Sequence, residues 1–199
     1  MVRYNIDSFL THYCLSFGKL TGEKEEGLIF LSNNLFTSDK IDLVSKAAYI
    51  LATIKWETGH TFQPITEYGT SSYLQSKPYY PYIGRGYVQL TWESNYYKFG
   101  KFLNIDLVKH PELANNPEYA WQILEEGMTN YYGIQNPNFT SYTLEDYFTV
   151  RKNDYYNARR IINPMDYKSF GPIAKIAETF NEIILKSIIS EEDIPEARK

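Results

Sequence analysis

A single cysteine, Cys14, rules out an intrachain disulfide, so the fold does not depend on oxidation. Basic charge is scarce too. The chain carries 20 Lys and Arg against 24 Asp and Glu, a formal charge of −4. That removes the electrostatic reason to expect nucleic acid and fits poorly with adhesion to anionic membranes. No apolar run approaches the ~18 residues of a membrane span, and no membrane insertion is expected. The opening residues, Met1-Val2-Arg3-Tyr4-Asn5-Ile6-Asp7, lack the apolar stretch and small-residue cleavage site of a secretory leader. The expectation is therefore a protein made in a reducing cytoplasm, reaching any outside substrate by another route. Repeats, low-complexity tracts and linkers are absent as well. The 199 residues read as a single domain with room for a well-buried core, expected to be a monomer. Its expected divisions are N-terminal helices over 1–37, a core over 38–185 and a frayed tail over 188–199.

Tyrosine is what the chain has in excess: 19, against 11 Phe and 3 Trp. Its ring offers a flat apolar face and a hydroxyl, which suits sugars as well as ordinary packing. The apolar periodicity is mainly helical. A first helix, capped by Asp7, is expected to reach Phe17, with Phe9, Leu10, Tyr13, Cys14 and Phe17 on one stripe. A second is expected over 21–35. The third, capped by Ser38 or Asp39, is apolar on most of its circumference from Ile41 to Ile54, which marks a buried helix. Gly59 stops it. From residue 62 to 91 the helical period gives way to Pro and Gly punctuation. The alternation over 87–91 predicts a short strand, paired near 65–68. Helices follow from about Trp92 to Gly100, after Pro111, and from Pro117 to about 132. A turn is expected over 133–142, then helices over 144–162 and 171–187. The class is mainly α, with a small β-hairpin region.

Candidate chemistry gathers between residues 56 and 100. Glu57 falls in the last turn of the buried third helix. There the negative end of the helix dipole and a dry surrounding both push a carboxyl pKa upward, as a general acid requires. Most glutamates at helix ends are solvated surface groups; the buried helix, Gly59 and the nearby Glu67 argue otherwise. Two carboxylates followed by Tyr-rich and amide-bearing segments are the parts needed to hydrolyse a glycosidic bond. Gln89 and Asn95 can both donate to and accept from sugar hydroxyls and N-acetyl groups. Arg85 reads either as a surface cation or as a group orienting a carboxylate, and His60 as a residue lining the cleft. Glu57-Thr58-Gly59-His60 matches the spacing of a carboxylate-bridged metal site, but no second such motif exists and Gly59 breaks the helix, so no metal or cofactor is expected. Gly84-Arg85-Gly86 lacks the Lys-Ser/Thr of a phosphate loop. Arg151, Lys152, Arg159 and Arg160 form a basic face on the helix expected over 144–162, either solvated or holding a catalytic glutamate.

These residues carry a resemblance. Gly84-Arg85-Gly86-x-x-Gln89-Leu90-Thr91, then Asn95-Tyr96 and Gly100, is similar to the glycoside hydrolase family 19 chitinases and, more closely, to phage-type endolysins. Leu107-Val108-x-x-Pro111-Glu112-Leu113 and Ala158-Arg159-Arg160-Ile161-Ile162-Asn163 extend it, so that it runs from about Ala47 to Phe180. Trp56 stands where that family has His before the acid, His60 where a second Gly is frequent, and Pro164 in place of a Gly. The segment between Glu57 and Glu67 is short and lacks the plant cysteines, which favours the phage-like branch. The resemblance implies a lysozyme-like helical fold of two lobes around a cleft. It also implies inverting hydrolysis of β-1,4 links beside N-acetylglucosamine. Glu57 matches the acid, and Glu67 is similar in placement to the carboxylate that activates water; their carboxyl groups are expected roughly 6.5–9.5 Å apart. The implied substrate-binding set is Gln89, Asn95, Tyr96, His60, Ser72, Arg85, Arg160 and Asn163, with one hydroxyl of Thr70, Ser71 or Ser72 positioning the water. The expected partner is bacterial cell-wall glycan, or alternatively chitin. Action would follow release during phage lysis or from a virion. A non-catalytic glycan-binding or virion structural module is the remaining alternative.

Overall fold

Asn5, not Asp7, caps the first helix: its side-chain oxygen accepts from Ser8 N at 3.0 Å. The computed structural model describes residues 4–129 and 138–189. In it, α1 (Ile6–Phe17) buries Phe9 and Tyr13. α2 (Glu23–Thr37) follows, with Glu23, Glu25 and Glu26 in the first turn, where the helix dipole favours them. α3 (Val44–Glu57) begins after Leu43, later than expected. The Ser38 hydroxyl donates instead to Glu125 at 2.6 Å and accepts from Lys40 N, forming a separate turn. Every α3 residue from Ser45 to Lys55 is buried, as its all-round apolar character requires. Gly59, at φ 57°, supplies the left-handed stop.

The loop-rich middle holds β1 (Ile65–Thr66), α4 (Ser71–Gln75) and β2 (Arg85–Gly86). β1 and β2 pair antiparallel, Ile65 opposite Gly86 and Thr66 opposite Arg85. The strand thus occupies the last two residues of the Gly84-Arg85-Gly86 motif and not 87–91. Arg85 and Leu90 exchange both backbone hydrogen bonds, at 3.1 and 2.8 Å, so the intervening residues fold back as a tight turn. α5 (Glu93–Leu103) runs through Gly100 and ends at Asn104, whose φ of 55° makes the stop expected of Gly100. A 3-10 turn at Pro111–Asn115 leads into α6 (Pro117–Met128), capped by the Asn116 side chain. The expected extension of α6 over 130–132 and most of the expected turn over 133–142 lie outside the described residues.

The single helix expected over 144–162 is broken into four pieces. α7 (Leu144–Tyr147) is closed at its start by a Thr143–Asp146 capping box. β3 (Phe148–Thr149) and β4 (Lys152–Asn153) then pair antiparallel. The Asp154 carboxylate accepts from Asn157 N at 3.0 Å and starts a 3-10 turn at Asn157–Ile161. Arg151 and Lys152 therefore sit in a hairpin, and no continuous basic helix face joins them to Arg159 and Arg160. α8 (Tyr167–Leu185) starts earlier than expected. It buries Phe170, Ile173, Ala177, Phe180 and Ile184 at helical spacing, chiefly against α3. Asn5 N donates to Ser187 O at 2.8 Å, joining the two ends of the described chain. From residue 190 the expected tail lies outside the described residues.

Side-chain packing forms two cores. The larger gathers α1, α2, α3, α6 and α8; the smaller holds Leu90, Tyr96, Phe99, Leu107, Ala114 and Ile123 around α5. Phe139 packs on both. The result is the expected mainly helical, lysozyme-like arrangement with small antiparallel strand pairs.

Candidate active site

Glu57 is the last residue of α3, and its side chain is only 14% exposed. Arg159, 4% exposed in the 3-10 turn at Asn157–Ile161, brings Nη1 to 2.5 Å from Glu57 Oε1. Its Nη2 donates to Asp166 Oδ2 at 3.0 Å. One buried guanidinium is thus shared by two carboxyl groups. The turn is fixed to α3 by Tyr49, whose buried hydroxyl donates to Ala158 O at 2.8 Å. Burial raises the Glu57 pKa most; Arg159 opposes this and the Asp166 charge reinforces it, and the net direction is upward. A raised pKa is the direction a carboxyl needs in order to give a proton to a substrate oxygen.

Glu67 follows β1 and is held through both oxygens. Oε1 accepts from Tyr79 OH at 2.9 Å and Oε2 from Gly84 N at 3.1 Å. Its own N–H donates to Gly84 O at 2.7 Å. Burial, then the carboxylate, push the Tyr79 hydroxyl up to about 12, so it remains a donor. Gly84 lies close against Gln89: a Cβ there would lie 2.8 Å from Gln89 Oε1, so the Gln89 side chain would have to shift. Gln89 crosses the strand pair, its Nε2 donating to Ile65 O at 3.1 Å, with its backbone at a left-handed φ of 54°.

A cleft of about 440 Å³ is lined by Glu57, Glu67, Gln89, Asn95, Arg159 and Asn163, with Tyr79, Trp92 and Phe139 among its walls. It brings together both predicted carboxylates and three of the eight predicted binding residues. The other five do not line it. Arg85 Nη1 donates to Pro81 O, Ile83 O and the Tyr96 hydroxyl, which itself donates to Ile83 O at 2.7 Å. Arg85 and Tyr96 therefore brace the loop that presents Gly84. His60 is exposed on the turn after α3, and Ser72 is exposed on α4 beside Thr70, the cap of that helix. Arg160 is displaced by its neighbour. The 3-10 turn brings Arg159 to Glu57, and Arg160 does not line the cleft.

Tyr79, Trp92, Phe139 and Asp166 were not singled out by the sequence. Trp92 has a φ of 76°, a costly conformation for so bulky a residue and one that marks functional loops. No sequence pattern announces it. Asp166 was more accessible to reasoning, since a buried arginine beside a catalytic glutamate needs a second anion.

No family model matches the chain. Over 85 residues it is 40% identical to an endochitinase of Arabidopsis thaliana, a match covering 38% of this chain and 32% of that protein. An endochitinase of Theobroma cacao is 36% identical over 63 residues, 28% of this chain and 20% of that one. The matches thus span about a third or less of these relatives' length. Likeness in structure extends further. A bacterial family 19 chitinase aligns over 89% of this chain and 93% of its own, with TM-score 0.54 and 24% identity. Chitinase C of Streptomyces griseus aligns over 93% and 79%, with TM-score 0.57 and 20% identity. The fold is that of the family 19 chitinases.

Proposed function

We propose that this protein hydrolyses β-1,4 glycosidic bonds beside N-acetylglucosamine, with inversion at the anomeric carbon. The observation that carries the reading is a single cleft holding a buried, high-pKa Glu57 and a second carboxylate, Glu67, positioned by Tyr79 and Gly84. Glu57 gives its proton to the leaving glycosidic oxygen as the C–O bond breaks. Glu67 takes a proton from a water whose oxygen attacks the anomeric carbon from the opposite face. Gln89, Asn95 and Asn163 hold sugar hydroxyl and N-acetyl groups. Arg159 is a positioning residue that fixes the Glu57 carboxyl.

Two polymers carry such bonds. The endochitinase and chitinase relatives favour chitin. The short cysteine-free segment between the carboxylates favours bacterial peptidoglycan, cleaved after release at phage lysis or from a virion. Purified protein is incubated with peptidoglycan and with chitin oligomers, beside its Glu57→Gln variant, and products are read by mass spectrometry and anomeric NMR. New reducing ends of inverted configuration, lost in the variant, support the reading, and the polymer that yields them names the substrate. Retained configuration, or an active Glu57→Gln protein, overturns it. Binding without products makes the chain a glycan-binding module.

A further inference from the structure

Beside the catalytic cleft lies a second and larger cavity, about 980 Å³, on the outward face of α5 and the loop over 104–108. Trp92 lines both spaces. Its ring stands edge-on to Tyr79 at 5.4 Å, and Tyr79 donates to Glu67, so the wall between the two is itself tied to the catalytic carboxylate. The cavity owes its shape to Gly100. A Cβ there would meet Ile105 O at 2.8 Å, so only glycine lets the following loop turn back so closely on the helix.

The lining has the chemistry of a sugar site. Trp92 and Tyr97 remain 50% and 58% exposed, although neither is required by either core. Lys101 Nζ lies 5.5 Å from the centre of the Tyr97 ring, which orders that ring at the surface. Asn104 and Asp106 place an amide and a carboxylate along the same cavity. Flat apolar faces with interspersed donors and acceptors match alternating sugar faces and hydroxyls. A bare protein partner would need no such mixture, and a space that shares the Trp92 wall with a polymer cleft is placed for the same polymer.

Resting on the glycosidase reading, we propose that the α5 cavity is an extended binding site for the same glycan chain, holding sugar units that run past Trp92 beyond the reacting bond. Long chains are then gripped at two places and short ones only in the cleft.

The test uses the Glu57→Gln protein, so that bound chains survive, with and without Tyr97→Ala. Tyr97 is chosen because it lines the second cavity and not the cleft, and because its exposure makes folding insensitive to the change. The probes are tetra- and hexasaccharides of chitin, and peptide-free peptidoglycan strands of the same lengths, measured by calorimetry. The expected result is a five- to ten-fold weaker hexasaccharide with Tyr97→Ala, the worth of about one aromatic contact, and an unchanged tetrasaccharide. Equal hexasaccharide affinity in both proteins overturns the extended site while leaving the glycosidase reading intact. Equal loss for both lengths overturns it too, because the ring then serves the cleft. If neither polymer is bound or cleaved by the parent protein, the reading beneath it fails as well.

Discussion

Glu57 shows how three neighbours tune one proton. Burial and Asp166 raise its pKa while Arg159 restrains it. The protonated form is the working form, so activity falls as pH rises through that pKa, on the alkaline limb of the kcat/KM profile. Asp166→Asn removes an anion that raises the pKa, and the alkaline limb is expected to move to lower pH. An unmoved limb would mean that another group governs it. Glu57→Gln is expected to lower turnover by roughly 10²–10⁴-fold with glycan affinity kept. Lys55 offers a different titration, two residues before Glu57 on α3 but not among the cleft-lining residues. Its Nζ donates to Tyr13 OH at 2.8 Å and lies 4.5 Å from the Phe17 ring centre and 5.4 Å from that of Phe62. Burial, then the Lys24 charge, lower its pKa to about 8. The unfolded chain binds that proton up to a pH of about 10.4, so between these values unfolding takes up a proton and stability rises with pH. Urea unfolding at pH 7 and 10 should therefore favour the natural protein over Lys55→Met progressively more at the higher pH. A pH-independent difference would show that Lys55 titrates normally.

At the scale of elements, the middle of the chain depends on one close approach. Gly84→Ala puts a methyl group against Gln89 Oε1, and the Gln89 side chain, whose Nε2 donates to Ile65 O, has to shift to escape it. The expected cost is roughly 1–3 kcal/mol of stability and a loss of turnover, since Gly84 N also holds Glu67. Gly171→Ala is the companion case: nothing but its chain neighbours lies near the added methyl group in α8, yet Pro172 follows, and its ring opposes a helical residue that carries a Cβ, so no gain in stability is expected. Thermal unfolding of the two variants checks both expectations. These elements differ in how far the sequence disclosed them. α3 was readable because it is apolar all round, and Glu57 followed as its last residue. The region over 144–162 was not readable from periodicity. Leu144, Tyr147, Tyr155, Ala158 and Ile161 fall near helical spacing, yet side-chain caps at Asp146 and Asp154 reset the backbone twice. Local hydrogen bonds from short acidic side chains outweighed the apolar pattern. That reset also splits the basic face: Arg159 reaches Glu57, and Arg160 does not line the cleft. The turn at 87–91 misled in the same way, because left-handed Gln89 folds an alternating stretch onto itself.

For the whole molecule, Phe139 is the residue that both cores share. It packs 5.2 Å from Phe99 in the smaller core, lies against Gly127 of α6, and lines the cleft. Phe139→Ala is expected to cost roughly 2–4 kcal/mol and to lower kcat, because it loosens one core from the other beside the site. Unchanged kcat with lowered stability would confine its role to packing. Glu57 rides on α3 in the larger core, whereas Glu67 is held by a loop that Arg85 and Tyr96 tie to the smaller one. No single element sets the distance between acid and base. In the proposed reaction, the spacing that decides how water reaches the anomeric carbon is a property of how two cores rest on each other. Mild denaturant or warming is then expected to abolish the proposed hydrolysis while the helices are still intact, so that functional melting precedes structural melting.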